Sequence, residues 1–441
     1  MRTCITNISM TPGVTNETHI PFIENAEIHI DGNRIVYAGT KKNAPAFYAD
    51  HQVDGMGSLA MPGLINLHTH TPMTLLRNVG GGLKLDEWLH NAIFPLEACL
   101  TSAIVRAGTD LGIMEMLRFG TTSFCDMYMH MDAVAEGVRV AGMRALLGHG
   151  IVDFDSSCKD LLPGIAFAEK WHKTENDRIR VSLAPHSDGA TTPVLMKKVE
   201  HYAEKMNLPI HVHVSETKLD VDNCLAKHGM RPPQYLEHMG LLQYPLIAAH
   251  CVWFTEDDIS LFAKRGCTIV HNPVSNLKLA SGIAPICAML DKGCHVALGT
   301  DGVASNNNLN LWEELKLMPM LQKGTLLDPT VISPAQALAA ATTAGARAMG
   351  YDDLGLLKEG YLADLILLDT HAPNMTPVNQ WEDSLIYAAQ GCDVRLTMVD
   401  GEILYHDGVY TTLDAQAVIE TAATAASSLQ EQAQNRAMHK A

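Results

Sequence analysis

Two histidines, His68 and His70, follow a short apolar run in the segment 61–70, MPGLINLHTH. In an extended strand, residues i and i+2 point to the same face, so the two imidazoles can approach one metal ion from the same side. The His-x-His pattern alone is equally compatible with a pair of core or surface histidines. The interpretation therefore depends on whether further ligands follow other strands of the chain.

Further polar side chains follow other short apolar segments at comparable positions. These candidates are His186, His213, His250 and Asp301. A lone histidine on an apolar strand is usually a hydrogen-bonded core residue, but six such side chains at strand ends favour one shared site. Three imidazoles and one carboxylate suit zinc or ferrous iron and leave a position for water, and the chain offers this set as His68, His70, His213 and Asp301. Such a metal ion makes a bound water nucleophilic near neutral pH.

The elements that must position these side chains are short strands alternating with helices from Pro62 onwards. We expect strands to end near residues 70, 126, 149, 186, 213, 250, 271 and 301, and helices at 103–119, 131–142, 192–206 and 255–265. Eight strand ends over about 240 residues predict an α/β fold with a (β/α)8 barrel. Active residues of such barrels lie at the carboxyl ends of the strands, where these candidates fall.

Strand patterns also occur near both ends of the chain. Residues 26–30 and 35–38 flank an Asp-Gly turn and predict a hairpin, and residues 398–405 predict another. We expect a small β-sandwich from residues 1–60 and 361–410, a barrel from 61–360 and a C-terminal helix over 411–441. The segment 334–350 is predicted to be one helix that begins at Pro334.

Glu216 lies three residues after His213 and is the candidate proton carrier. If His213 ends its strand, Glu216 lies in the following loop at the same end of the barrel, where a carboxyl group can pass a proton. A carboxylate at a helix N-terminus is the ordinary alternative. His271 is equally compatible with a buried, hydrogen-bonded histidine, and His211 is interpreted as structural.

Composition restricts the class of protein. The chain has 441 residues, is 47% hydrophobic and carries a formal charge of −17, which argues against nucleic acid or an anionic membrane as a partner. Ten cysteines are scattered without a C-x-x-C pair, as is typical of a reduced compartment. The N-terminal residues lack the apolar core of a signal peptide, and no apolar run reaches the ~18 residues of a membrane span. We expect a soluble, cytoplasmic protein.

Several motifs carry a resemblance to a known group of enzymes. Segments 62–70 (PGLINLHTH), 213–216 (HVSE), 249–251 (AHC) and 299–302 (GTDG) resemble those of the amidohydrolase superfamily. More narrowly, the chain is similar to 5-methylthioadenosine/S-adenosylhomocysteine deaminases over about residues 20 to 410. The segments that carry this likeness are PMTLLR at 72–77, EWL at 87–89, PLE at 95–97, APH at 184–186, HNPVSNLKL at 271–279 and DGVASN at 301–306.

The resemblance implies a distorted (β/α)8 barrel, a β-sandwich formed from both termini and one divalent metal ion per subunit. Relatives with two metals have a carboxylated lysine at the end of strand four, but segment 181–186 (VSLAPH) contains no lysine. Zinc is the expected ion, with ferrous iron or manganese as alternatives. The implied ligands are His68, His70, His213 and Asp301.

The resemblance also implies a reaction, the hydrolytic deamination of an adenosine-type nucleoside to the inosine analogue and ammonia. Glu216 would protonate a purine ring nitrogen, His250 would orient the attacking water, and Asp301 would take its proton. His186 would contact the purine and Glu97 the ribose hydroxyls. Trp88 is equally compatible with lining the substrate pocket and with anchoring the core.

One departure from the family pattern concerns the 5′ substituent of the substrate. Family members that bind the zwitterionic end of S-adenosylhomocysteine have arginines after strand three, where this chain has His149 and, near the second position, Leu161. Loss of a bidentate arginine at a carboxylate site is not a conservative change. We expect a preference for methylthioadenosine, 5′-deoxyadenosine or adenosine, with His149 as the substrate contact at this end.

Two other functions remain open from the residues alone. One is the deamination or hydrolysis of another heterocycle, such as guanine, an oxidised purine or a chlorotriazine, although Glu97 and His186 count against a substrate without ribose. The other is a non-catalytic metal-binding scaffold, although all the ligands and the proton carrier are present. The expected partners are a small-molecule nucleoside and further copies of the chain in a homo-oligomer.

Overall fold

The strands of the molecule fall into two sheets. A computed structural model describes residues 1–16 and 18–438, except for the side chain of residue 86. In chain order the strands are β1 (Arg2–Met10), β2 (Ile23–Asp31), β3 (Arg34–Thr40), β4 (His51–Asp54), β5 (Leu59–Pro62), β6 (Leu64–Thr69), β7 (Thr121–Tyr128), β8 (Arg144–Ile151), β9 (Ile179–Pro185), β10 (Ile210–Val214), β11 (Leu246–His250), β12 (Thr268–His271), β13 (His295–Leu298), β14 (Leu365–Leu368), β15 (Val394–Val399), β16 (Glu402–His406) and β17 (Val409–Tyr410). Strands β6 to β13 form one sheet and the others form the second.

Helices connect most of the strands in the central part of the chain. In chain order they are α1 (Leu85–Trp88), α2 (Phe94–Glu97), α3 (Ser102–Arg118), α4 (Met131–Ala141), α5 (Leu161–Trp171), α6 (Pro193–Met206), α7 (Lys218–His228), α8 (Pro232–Met239), α9 (Glu256–Arg265), α10 (Pro273–Lys278), α11 (Ile286–Asp291), α12 (Val303–Asn306), α13 (Leu311–Leu326), α14 (Pro334–Ala341), α15 (Thr343–Ala348), α16 (Trp381–Asp383) and α17 (Ala415–Met438). Among the described residues, no helix is both long and apolar enough to cross a membrane.

The eight strands β6 to β13 form the predicted barrel. Each neighbouring pair is parallel, and each strand ends within three residues of its predicted position. The first and last strands meet at an irregular seam, where the Asp301 N–H donates to the His68 carbonyl at 2.9 Å. A side chain on Gly299 would place its Cβ 2.8 Å from the His68 nitrogen, so this close approach requires glycine. The seam brings the end of β13 beside the end of β6.

The barrel interior is filled with apolar side chains. Ile65, Leu67, Cys125, Leu146 and Val270 are all buried in one cluster inside the strands. The outer faces of the same strands pack against the helices in a larger cluster, so the strands are buried on both sides, as their apolar sequences predict. The candidate side chains lie beyond this apolar layer, at the carboxyl ends of the strands.

The second sheet joins both ends of the chain. Strand β5 pairs parallel with β1 and antiparallel with β14. Its apolar cluster includes Ile5 and Ile28 from the N-terminal strands and Leu365, Leu396 and Met398 from the C-terminal strands. This is the β-sandwich that the terminal hairpins predict, and β5 crosses the boundary expected between residues 60 and 61.

The prediction of one continuous helix over 334–350 was wrong. Helix α14 ends at Ala341, and Thr342 has φ −135° and ψ −89° before α15 begins. The Thr342 hydroxyl donates to the Leu338 carbonyl at 2.7 Å, a bond to the preceding turn that competes with regular helix geometry. The expected C-terminal helix forms as α17 and packs against α3, while residues 439–441 of that prediction lie outside the described residues.

Candidate active site

Three histidines present the same ring nitrogen to one point at the carboxyl end of the barrel. His68 and His70 come from the end of β6, and His213 comes from β10. The Nε2 atoms of His70 and His213 are 3.4 Å apart. Oδ1 of Asp301, just beyond β13, is 3.3 Å from Nε2 of His70 and 3.5 Å from Nε2 of His68. The four side chains that the sequence analysis named as metal ligands therefore lie around one point.

The other ring nitrogen of each histidine is held from behind. Nδ1 of His70 is 2.6 Å from the Met127 carbonyl, and Nδ1 of His213 is 2.7 Å from the His186 carbonyl. A carbonyl only accepts, so both Nδ1 atoms donate, and in a neutral ring with this tautomer Nε2 carries the free lone pair. Nδ1 of His68 is 2.9 Å from Nε2 of His211. Such contacts behind a ligand fix the orientation of its ring.

Asp301 is held in place by donors from two helices and its own turn. Its Oδ2 accepts hydrogen bonds from Ser275 at 2.6 Å and Ser305 at 2.7 Å, and the Gly302 N–H donates to Oδ1 at 2.7 Å. Burial opposes ionisation of Asp301, but the surrounding imidazoles hold its pKa well below the usual value. Its backbone φ is +62°, a left-handed conformation that aspartate adopts more readily than most residues.

The converging atoms fit a divalent metal ion. Burial lowers the pKa of His68 to about 4 and holds the pKa of His213 well below its usual value, so both imidazoles are neutral, as ligands must be. Nε2 of His68 is buried and has no hydrogen-bond partner among the described residues. A tetrahedral ion with bonds of about 2.0–2.1 Å requires ligand separations of about 3.3 Å. The separations of 3.3–3.5 Å match that value.

Glu216 and His250 form a second pair beside this cluster. Oε2 of Glu216 is 3.7 Å from Nε2 of His250, and Oε1 accepts from the Ser281 hydroxyl at 3.3 Å. Nδ1 of His250 donates to Oδ1 of Asn276 at 2.9 Å, which turns Nε2 toward the site. Burial raises the pKa of Glu216. For His250, burial opposes protonation, but the nearby carboxylates of Glu216 and Asp301 outweigh this effect and raise the pKa. The pair is therefore suited to hold a proton.

Glu97 and His186 lie around the same opening. The Tyr128 hydroxyl donates to Oε1 of Glu97 at 2.8 Å, and the Tyr128 ring is 6.2 Å from that of His70. Burial raises the pKa of Glu97. His186 directly follows β9, its ring is 4.5 Å from that of His213, and burial lowers its pKa to about 4. The structure brings both side chains close to the histidine cluster.

Trp88 and His149 occupy different surroundings. Trp88 is 5% exposed, and its indole N–H donates to the Val79 carbonyl at 3.0 Å, as a core anchor does. His149 lies on the outer face of β8, which faces helix α5. A Cβ atom added to Gly164 of α5 would lie 3.7 Å from the Cβ atom of His149. Leu161 is buried in the apolar layer outside the barrel. Contact of Trp88 or His149 with a substrate stays a prediction.

The sequence analysis assigned no role to the residues that hold the candidates in place, although three of them lie in segments that carry the family resemblance. Ser275 and Asn276 lie in α10, Ser305 lies in α12, and Ser281 follows α10. One signal was present, since Ser275 and Ser305 each stand four residues after a strand-end candidate, His271 and Asp301. Tyr128 gave no such signal, because nothing local distinguishes it from an ordinary apolar strand residue.

Comparison with known proteins yields consistent matches. Residues 59–404 match the model of the amidohydrolase family. A 5′-deoxyadenosine deaminase of Methanothermobacter thermautotrophicus is 42% identical over 410 residues, which cover 92% of this chain and 95% of that protein. A 5-methylthioadenosine/S-adenosylhomocysteine deaminase of Dictyoglomus thermophilum is 43% identical over 371 residues, covering 84% of this chain and 87% of that one. The crystal structure of a Xanthomonas campestris adenosine deaminase with bound zinc superposes with a TM-score of 0.91 at 33% identity, covering 97% and 99%.

Proposed function

The chain belongs to the amidohydrolase family, and from that premise we propose that it is a deaminase of adenosine-type nucleosides. It converts 5′-methylthioadenosine, 5′-deoxyadenosine or adenosine, and less readily S-adenosylhomocysteine, to the inosine analogue and ammonia. The observation that carries the proposal is the convergence of three imidazoles and a carboxylate beside the pair Glu216 and His250. The names of the relatives support the choice of substrate.

The metal in this proposal is one zinc ion, held by His68, His70, His213 and Asp301. When bound, zinc supplies Lewis acidity and makes a water nucleophilic near neutral pH. The hydrogen bonds behind each imidazole and behind Oδ2 of Asp301 hold the donor atoms in a fixed arrangement before any ligand arrives. A preorganised arrangement of this kind needs little rearrangement during the reaction.

Glu216 is the proton donor to the purine in this proposal. Its Oε1 is held by Ser281, and its other oxygen faces His250. Burial raises the pKa of Glu216, so a proton on Oε2 is retained closer to neutral pH than on an ordinary glutamate. Delivered to the ring nitrogen next to the amine-bearing carbon, this proton makes that carbon more electrophilic.

His250 and Asp301 act on the attacking water. Asn276 holds Nδ1 of His250, so Nε2 is directed to the reacting side and can hydrogen-bond the water. Asp301 keeps a low pKa among the imidazoles, and its Oδ1 faces the site, where it can accept the water's proton. Return of that proton to the amine nitrogen allows ammonia to leave, and the second proton of the water goes to Glu216 as the carbonyl group of the product forms. Glu216, His250 and Asp301 together therefore handle every proton in the reaction.

Glu97 supports a nucleoside rather than a bare base as the substrate. Its carboxyl group, fixed by Tyr128, can accept hydrogen bonds from two ribose hydroxyls at the rim of the site. His186, with its ring against that of His213, lies where it can contact the purine. Bare heterocycles such as guanine have no hydroxyls for Glu97 to bind, and they remain the alternative substrate class.

A parallel deamination assay tests the proposal. Zinc-loaded protein would be compared on methylthioadenosine, 5′-deoxyadenosine, adenosine, S-adenosylhomocysteine and guanine. We expect the highest kcat/KM on a nucleoside without the homocysteine group and no turnover of guanine. Turnover of guanine alone would overturn the substrate class, and no turnover of any compound by zinc-loaded protein would favour the non-catalytic scaffold.

Size-exclusion chromatography would test the expected homo-oligomer, and cell fractionation would test the expected cytoplasmic location.

A further inference from the structure

A second cluster of metal-binding side chains lies in the β-sandwich, on strands that take no part in the barrel. Cys4 of β1 and His29 of β2 are direct cross-strand partners. Glu27 stands two residues before His29 and therefore points to the same face of the sheet. The neighbouring Ile5 points the other way, into the apolar core of the sandwich. Three different ligand types thus meet on the outer face of one hairpin.

The separations in this cluster suit a small divalent ion. Sγ of Cys4 is 3.6 Å from Oε1 of Glu27, and Nε2 of His29 is 2.7 Å from the same oxygen. One ligand atom from each residue lies within 4.8 Å of the others. A tetrahedral zinc ion needs separations of about 3.3–3.5 Å, so the cysteine–glutamate distance already fits and the histidine–glutamate distance must open by about 0.6 Å. The Glu27 side chain is the partly exposed member of the three, so it is the ligand with room to move.

The surroundings are those of a partly enclosed site. Cys4 is 7% exposed and His29 is 1% exposed, while the Glu27 side chain is 13% exposed and leaves one edge open to water. The ring of Phe47 stacks on that of His29 at a centroid distance of 4.4 Å. The Arg2 guanidinium lies over the Phe47 ring, 4.2 Å from its centroid. Water can therefore reach the cluster from the Glu27 side and serve as a further ligand.

We propose that Cys4, Glu27 and His29 bind a zinc ion, with water as the fourth ligand, at a site separate from the barrel. The thiolate and the carboxylate together balance the charge of the ion, which makes the enclosed site electrically neutral. Binding replaces the S–H bond of Cys4 by a zinc–sulfur bond and releases the proton to solvent. The ion ties β1 to β2 across the hairpin and so stabilises the sandwich. Without metal, burial and Glu27 raise the pKa of the Cys4 thiol to about 11, which keeps it protonated.

Cobalt substitution separates this site from the barrel. Co²⁺ bound to a thiolate absorbs strongly in the near ultraviolet through charge transfer from sulfur, whereas imidazole and carboxylate ligands do not give this band. The barrel candidates contain no sulfur, so the band reports on a cysteine site alone. We expect the cobalt-loaded full chain to show the band and zinc-loaded protein to contain two ions per chain. Because the band does not depend on catalysis, its outcome is separable from that of the proposed deamination.

Three variants identify the ligands. Cys4→Ser and His29→Gln should each abolish the charge-transfer band and lower the zinc content from two ions to one, with deamination retained. Cys392→Ser is the matched control, because Cys392 is exposed and lies outside the cluster, and it should leave band and zinc content unchanged. A band that is absent from the unaltered protein, or that persists in Cys4→Ser, would overturn the proposal. If Cys4→Ser does not fold, His29→Gln gives the same test.

Discussion

Ser275 and Ser305 donate hydrogen bonds to the same oxygen, Oδ2 of Asp301, from two different helices. Ser275 belongs to α10 after β12, and Ser305 belongs to α12 after β13. With Oδ2 occupied twice, Oδ1 is the oxygen that faces His68 and His70. The two serines therefore decide which carboxylate oxygen is presented to the candidate metal position.

Replacing these serines should weaken metal binding without changing the ligands. We expect Ser275→Ala and Ser305→Ala each to lower the zinc affinity of the barrel site about 10- to 100-fold, because outer partners orient the ligating carboxylate. The measurement is competition with a chelator for zinc. Ser281→Ala is the matched control, since Ser281 contacts Glu216 and not Asp301. Unchanged affinity in both alanine variants would mean that Asp301 is oriented by its backbone alone.

Replacing Glu216 or Glu97 by glutamine should change different kinetic constants. Glu216→Gln should lower kcat about 10²- to 10⁴-fold, the usual contribution of a general acid, with zinc content unchanged. Glu97→Gln should mainly raise KM for nucleosides, because Glu97 is placed to contact ribose rather than the reacting carbon. Steady-state kinetics on adenosine and methylthioadenosine would separate the two. An equal loss of kcat in both variants would contradict these assignments.

The strand ends and the converging candidates were predictable from the sequence for one physical reason. Parallel barrel strands carry continuous apolar runs, so a polar side chain that ends such a run is conspicuous, and barrel geometry brings those ends together. His68, His213 and Asp301 were found this way. The hydrogen bonds to Glu97 and Glu216 were not predictable, because Tyr128 and Ser281 reach these carboxylates across contacts that no local sequence pattern encodes.

The placement of His149 shows a different limit. Leu146 points into the barrel, so by strand alternation His149 points outward with Leu147, toward α5. The resemblance to known deaminases predicts a substrate contact at this position, and that contact stays a prediction. The break at Thr342 was equally hidden, since it depends on a hydroxyl bond that an alanine-rich sequence does not reveal.

Arg144 should be one of the most sensitive positions for stability. Its buried guanidinium donates to Asp364 at 2.9 and 3.1 Å and to Asp400 at 3.0 Å, so it joins barrel strand β8 to the sandwich. Arg144→Ala leaves Asp364 buried and unpaired, and we expect a loss of about 3–5 kcal/mol in unfolding free energy. Arg139→Ala is the control, because its partner Glu136 is exposed and such pairs contribute about 0–1 kcal/mol. Chemical denaturation measures both; similar losses would contradict the prediction.

Glu314 should make the stability of the chain depend on pH. It is fully buried in α13, where it accepts from the Val274 N–H at 3.0 Å and the Asn306 amide at 2.6 Å, and burial raises its pKa well above the usual value. The folded state therefore holds a proton on Glu314 that the unfolded chain releases above its pKa of about 4.3. Stability should fall as pH rises from there toward the raised pKa, by up to about 1.4 kcal/mol per pH unit. Glu314→Gln should remove this slope, whereas Glu313→Gln, on the exposed face of the same helix, should retain it. Urea unfolding of the three proteins at several pH values from about 5 upward makes the comparison. Parallel profiles for the Glu314→Gln and unaltered proteins would show that the carboxyl group does not titrate differently on folding.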